Sequence, residues 1–199
     1  MNIYEKQIEF YRNSLVYLES LKKHNNEWFK DYIDFIFEKV PRGSKGLDVG
    51  CGMGLAVKLL REAGYDMIGL DISDMFLSEG SKIYNIDRSK LICANALHMP
   101  FKDKSFDFVC SIDFVEHVSV LIDTLKEAGR VLKKEGILII SVPHPEHDIK
   151  DLRAWPECYS LHLHSFSFKS LKELLLELGF YSIENKTSLN HLIIRAIRG

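Results

Sequence analysis

Nowhere in this chain of 199 residues do two cysteines form a C-x-x-C pair; Cys51, Cys93, Cys110 and Cys158 lie far apart. That spacing excludes a zinc knuckle and a thioredoxin-like centre and fits a reducing compartment, so a cytoplasmic protein is expected. Cys93 and Cys110 read as small buried strand residues. Basic runs are missing too: 26 lysines and arginines face 28 acids, a net charge of −2, so nucleic acid is not an expected partner. The longest apolar run, around GILIISVP, is too short to span a bilayer, so no membrane insertion is expected. The N-terminus, MNIYEKQIEFYRNS, places charges every few residues and lacks the apolar centre of a signal peptide. Neither a repeat nor a low-complexity segment interrupts the chain.

What remains is the balance of a globular protein, 46% apolar and 27% charged, in a length that suits one domain. The first 40 residues look helical and rich in aromatics, Tyr11 and Trp28 among them, until PRGSKG breaks the pattern. From residue 46, strand-like runs at 46–50, 67–71, 89–94, 106–112 and 135–142 alternate with helix-like segments at 54–64, 74–84 and 118–132. Leu171, Leu174, Leu175 and Leu178 trace a further helical stripe that Gly179 ends. Two β-like runs, 180–187 and 191–198, close the chain with too short a connection for a crossover. The pattern predicts an α/β fold: a mostly parallel, Rossmann-like sheet of seven strands with helices on both faces, an antiparallel C-terminal hairpin and an N-terminal helical cap.

The chemistry concentrates at LDVGCGMG, where Gly50, Gly52 and Gly54 separate a strand from a helix. Glycine costs stability there unless something must approach the backbone closely. In an open parallel sheet, ligands bind beyond the carboxyl ends of the strands. A dinucleotide fingerprint needs glycine or alanine at the sixth position, and counting from Gly50 or Gly52 gives Leu55 or Val57. A Walker loop needs G-K-[ST], which is absent. Asp48 precedes the loop, and Asp71 ends the next strand, 17 residues after Gly54, where a carboxylate can accept both ribose hydroxyls of an adenosine.

From residue 40 onward, LDVGCGMG, GLDIS, ANALHMPFKDKSFDFV, FVEHV, EAGRVLKKEGILIISVP and FKSLKELLLELGF resemble, in order, the motif series of class I S-adenosylmethionine-dependent methyltransferases. The closest flavour is the ubiquinone- and menaquinone-biosynthesis type, which acts mostly on small molecules. The resemblance implies S-adenosylmethionine as cofactor and a small-molecule methyl acceptor as partner. It places Gly50, Cys51 and Gly52 along the cofactor's amino-acid end, Asp48 at its ammonium, and Asp71 on the ribose. Ile72 would lie against adenine, Asn95 and the Ala96 amide would read its edge, and Ser111 and Ile112 would face the reacting centre. Asn95 departs from the family's usual aspartate, but an amide oxygen can still accept from the adenine amine. A single domain follows, with residues 1–42 as cap, 43–199 as cofactor-binding core, and 143–168 as a substrate cover.

Methyl transfer to a hydroxyl, amine or acidic carbon is helped by a base, and histidine suits neutral pH. His117 and His144, just beyond the fourth and fifth strands, are the candidates. Asp113, Glu116 and His117, in D-F-V-E-H, resemble the E-x-x-E-H arrangement that holds a divalent ion in some quinone-precursor O-methyltransferases. A salt-bridged, helix-capping role for Glu116 is the simpler account, so no metal is expected. Three alternatives stay open: a non-catalytic cofactor-binding protein of this fold, a nicotinamide-dependent oxidoreductase, and a methyltransferase that acts on protein.

Overall fold

A computed structural model describes residues 3–24, 26–145, 162–188 and 191–199. Among these residues seven strands form one sheet: β1 (Lys45–Val49), β2 (Asp66–Asp71), β3 (Leu91–Cys93), β4 (Phe106–Ile112), β5 (Leu132–Pro143), β6 (Phe180–Ser188) and β7 (His191–Arg198). The strand order is β3-β2-β1-β4-β5-β7-β6. The pairs among β1 to β5 are parallel; β7 runs antiparallel between β5 and β6. The predicted hairpin is therefore present, with β7 inserted so that its apolar run HLIIRAIR is covered on both sides by strands. Ile193, Ile194 and Ala196 are buried accordingly.

The described helices are α1 (Ile3–Asn13), α2 (Leu15–Leu21), α3 (Asn26–Phe37), α4 (Leu55–Glu62), α5 (Asp74–Tyr84), α6 (Leu121–Val131) and α7 (Phe168–Glu177). One face of the sheet packs a cluster that includes Leu47, Val109, Leu125, Ile140 and Leu171; the other packs Ile36, Val57, Leu60, Met67 and Phe108. Burial of this kind stabilises by about 25 cal/mol per Å² of apolar surface. Ser73 and Ser167 cap α5 and α7 by accepting backbone N–H groups three residues on.

Three boundaries differ from the sequence reading. The run 89–94 is split into a 3₁₀ turn, Arg88–Lys90, and the short edge strand β3. On that edge Cys93 is exposed rather than buried, whereas Cys110, on the central strand β4, is fully buried. Strand β5 starts at Leu132, three residues before the apolar run, because Glu135 takes φ +63 in an irregularity between the Phe106–Leu132 and Phe108–Ile137 pairs. Helix α6 starts at Leu121 because Val115–His117 forms a separate 3₁₀ turn. Most of the proposed cover, residues 146–161, lies outside the described residues.

Candidate active site

Strand β1 delivers its carboxyl end to a loop in which Gly50, Gly52 and Gly54 all take positive φ. The N–H groups of Gly50 and Cys51 donate to the Leu70 carbonyl at 2.8 and 3.0 Å, pinning the loop to β2. A Cβ at Gly50 would stand 2.3 Å from the Phe114 ring, so glycine here lets Phe114 lie against the backbone.

Asp71 ends β2 and is buried; its Oδ2 accepts from Gly52 N–H at 2.8 Å and its Oδ1 from Ser73 N–H at 2.9 Å. A carboxylate has about four acceptor positions, so two remain for a ligand's hydroxyls. Burial raises its pKa to about 6, against the opposing backbone hydrogen bonds. Asp48 is more deeply buried, and the Cys110 thiol donates to its Oδ1 at 3.6 Å. Burial lifts its pKa to about 7, well above the ordinary carboxylate range. A cationic ligand group beside it would favour the ionised form.

Both acids border one large cavity at the carboxyl ends of the strands, with Gly50, Cys51, Gly52, Ile72, Asn95, Ala96, Ile112 and His117 also on its wall. Two expected residues are not on that wall. Ser111 precedes Ile112 in β4, and adjacent strand residues point to opposite faces, which turns its side chain away from that of Ile112. Its side chain is buried and its Oγ makes no hydrogen bond among the described residues. His144 is half-buried, just after β5, and is not among the lining residues. Asn95 lines the cavity with its amide already engaged. Its Oδ1 accepts from Leu97 N–H at 2.9 Å, and its Nδ2 donates to the Tyr4 hydroxyl at 2.5 Å.

Asp113 does not join Glu116 and His117. Its carboxylate turns to Ser141 and His191, while Glu116, His117 and His162 bring their ligand atoms within 4.8 Å of one another. His162 reaches that place because Leu163 and His164 both donate backbone N–H groups to the Glu116 carbonyl, at 2.8 and 3.1 Å.

The first 24 residues, expected as part of a helical cap, contribute directly to the cavity. Tyr4, Gln7, Ile8, Tyr11, Tyr17, Leu21 and His24 form a wall of the cavity. Gln7 donates to the His117 carbonyl at 2.8 Å, Ser73 Oγ donates to the Arg12 carbonyl at 3.0 Å, and Tyr11 and Tyr17 meet edge to face. The density of aromatics was their only signal. Ser119, with a buried Oγ that has no hydrogen bond among the described residues, also lines the cavity and carried no signal at all.

The arrangement fits an adenosine carrying a charged amino-acid tail: ribose acceptors at Asp71, a buried acid at Asp48, and a glycine loop between them. The methyltransferase-domain family matches residues 47–140. An uncharacterized protein of Methanocaldococcus jannaschii is 30% identical over 92% of this chain and 83% of its own length. A demethylmenaquinone methyltransferase of Staphylococcus saprophyticus is 31% identical over 62% of this chain and 53% of its own. A chain from the complex of the Haloferax volcanii Trm112 methyltransferase activator with a methyltransferase superposes with a TM-score of 0.77, covering 96% of this chain and 97% of that one at 18% identity. The chain spans about half the length of most curated relatives it matches, 43%, 53% and 53% for three of them.

Proposed function

Since this chain belongs to the class I S-adenosylmethionine-dependent methyltransferase family, we propose that it transfers the cofactor's methyl group to a small-molecule acceptor by direct in-line substitution. The observation that carries the reading is the shared cavity: Asp48, Gly52 and Asp71 on one side, an aromatic wall from α1 and α2 on the other. When bound, the cofactor supplies a methyl group on a positive sulfonium, so the protein's task is to position the acceptor and exclude water. Asp71 binds the ribose hydroxyls, Asp48 balances the ammonium group, and Ile72 and Ala96 line the adenine position. Tyr4, Tyr11 and Tyr17 cover the site, and His117, joined to Tyr11, is the residue we assign as general base.

The N-terminal helices supply a wall of the cavity among the described residues, which supports a small acceptor. The curated relative that acts in menaquinone synthesis supports the same class. Among the described residues no helix is long and apolar enough to cross a membrane, and the dispersed cysteines support a cytoplasmic location. The test has two arms: calorimetric binding of S-adenosylhomocysteine, and transfer of a labelled methyl group in a small-metabolite extract. Absence of S-adenosylhomocysteine binding would overturn the reading; binding without transfer to any metabolite or protein fraction would favour a non-catalytic binding protein.

A further inference from the structure

The strand order divides the floor of the cavity. Strands β1 and β2 carry the glycine loop and Asp71, whereas β4, β5 and β7 lie on the other side of β1. Three residues from that second half converge. Asp113 follows β4, Ser141 lies in β5, and His191 opens β7. The Ser141 hydroxyl donates to Asp113 Oδ1 at 3.0 Å, and His191 Nε2 lies 3.2 Å from Oδ2. The Asp113 backbone N–H donates to the Ser141 carbonyl at 3.1 Å, with φ at +49. Aspartate tolerates that left-handed conformation better than most residues, and it turns this side chain toward the neighbouring strands while leaving it on the cavity wall. The same cavity is also lined by aromatic rings, Tyr11, Tyr17, His24, Phe29 and Phe114.

We propose that Asp113 is the acceptor-binding residue and that the acceptor is an amine carried on an apolar or aromatic body. This rests on the methyltransferase reading and names its substrate class. A carboxylate anchored on two sides offers its remaining lone pairs to N–H donors, and aromatic faces favour a cation beside it. The chemistry agrees. An entering ammonium gives one proton to the imidazole of His117, the base assigned above, which frees the nitrogen lone pair. That lone pair forms the N–C bond as the C–S bond breaks and its electrons return to sulfur. Positive charge therefore moves from sulfur to nitrogen, and the product is a methylated ammonium ion. A fixed negative charge at the nitrogen stabilises that shift. A phenolate or carbanion would instead bring negative charge against Asp113, and like charges repel. Burial pushes the Asp113 carboxyl up, but the pull of His191 and the Ser141 hydrogen bond leave it below the ordinary range. It is thus a poor base and a durable charge. Burial also lowers the His24 pKa, which favours the neutral imidazole over a cation that would compete for Asp113.

The test uses the full chain saturated with S-adenosylhomocysteine and titrated at neutral pH with phenethylamine, phenethyl alcohol and hydrocinnamate. The amine should bind about tenfold tighter than the alcohol or more, as a charge-assisted hydrogen bond requires, and the carboxylate should not bind. Asp113→Asn should erase the preference while S-adenosylhomocysteine affinity stays unchanged; if that variant does not fold, Ser141→Ala must weaken the amine selectively. Equal binding of the alcohol, tighter binding of the carboxylate, or no binding of any probe would overturn the proposal. Failure of S-adenosylhomocysteine to bind would instead overturn the methyltransferase reading, and the same titration of the cofactor-free chain would still judge Asp113.

Discussion

The hydroxyl of Tyr11, in the first helix, lies 2.9 Å from Nδ1 of His117, 106 residues further along the chain. The two rings also meet edge to face at 5.6 Å. This contact joins the N-terminal wall of the cavity to the residue assigned as base, and it fixes the imidazole orientation by occupying one ring nitrogen. Tyr11→Phe keeps the ring contact and removes one hydrogen bond, which is worth roughly 0.5–1.5 kcal/mol net. Turnover should therefore fall by about two- to tenfold, since 1.4 kcal/mol corresponds to a factor of ten. Affinity for S-adenosylhomocysteine should hold. Unchanged turnover in a steady-state assay would remove Tyr11 from the mechanism.

Asp71 anchors the loop in this structure and, on the proposed reading, also accepts the ribose hydroxyls. Asp71→Ala removes the ribose acceptor and also leaves the Gly52 and Ser73 N–H groups without their present partner. A loss on the order of 2–4 kcal/mol in cofactor affinity is expected. Calorimetry that showed wild-type affinity in the variant would place the cofactor elsewhere.

Asp48 makes binding depend on pH. Its pKa stands near 7 in the cofactor-free chain because of burial, and a bound ammonium group favours its ionised form. Binding therefore releases a proton below that pKa, and affinity for S-adenosylhomocysteine should fall about tenfold from pH 8 to pH 6. Stability changes in the opposite sense. The folded-state pKa lies above the unfolded value of about 4, so the stabilising difference is complete below about 4 and is lost as pH rises toward 7. Asp48→Asn escapes that loss. Its melting temperature should exceed that of the wild type at pH 8, and the gap should close as the pH is lowered toward 4. A gap that stays constant with pH would show that Asp48 is ionised in the folded, cofactor-free chain.

Glu116, His117 and His162 offer one carboxylate and two imidazoles, but Asp113 is held by Ser141 and His191 and does not join them as the resemblance of D-F-V-E-H to a metal-binding arrangement would require. Magnesium prefers oxygen donors, and only one carboxylate remains. Methyl transfer should survive exhaustive chelation. Loss of activity that one divalent ion restores in the wild type but not in Glu116→Gln would place a metal in this cluster.

The legible parts of the fold are those governed by short-range pattern. The boundaries of β4, β7 and α5 follow from apolar runs between polar breaks, and the glycine loop is local in sequence. The irregular start of β5 was hidden because LKKEG is polar, although Lys133 and its neighbours still extend the strand. The surroundings of Asp113 were hidden for a longer-range reason. Its partner His191 lies in β7, and only the insertion of β7 between β5 and β6 brings the two together. Gln7 was invisible for the same reason, and Tyr4 showed only as one of many aromatics: their contacts depend on where α1 docks, and no local spacing encodes that.

Gly80 offers a test of how the cofactor loop is supported. It lies inside α5, where alanine would normally stabilise the helix by about 1 kcal/mol. A Cβ there would stand 1.8 Å from the Met53 carbonyl oxygen and 2.5 Å from its carbon. Those are backbone atoms, so no side-chain rotation relieves the overlap. Met53 sits between Gly52 and Gly54, and any retreat of its peptide moves the loop that Asp71 holds through Gly52. Overpacking a closed site costs about 1–3 kcal/mol, which exceeds the propensity gain. Gly80→Ala should therefore lower the urea midpoint and weaken S-adenosylhomocysteine binding together. A variant that is more stable than the wild type, with unchanged affinity, would show that α5 can move away from the loop without cost.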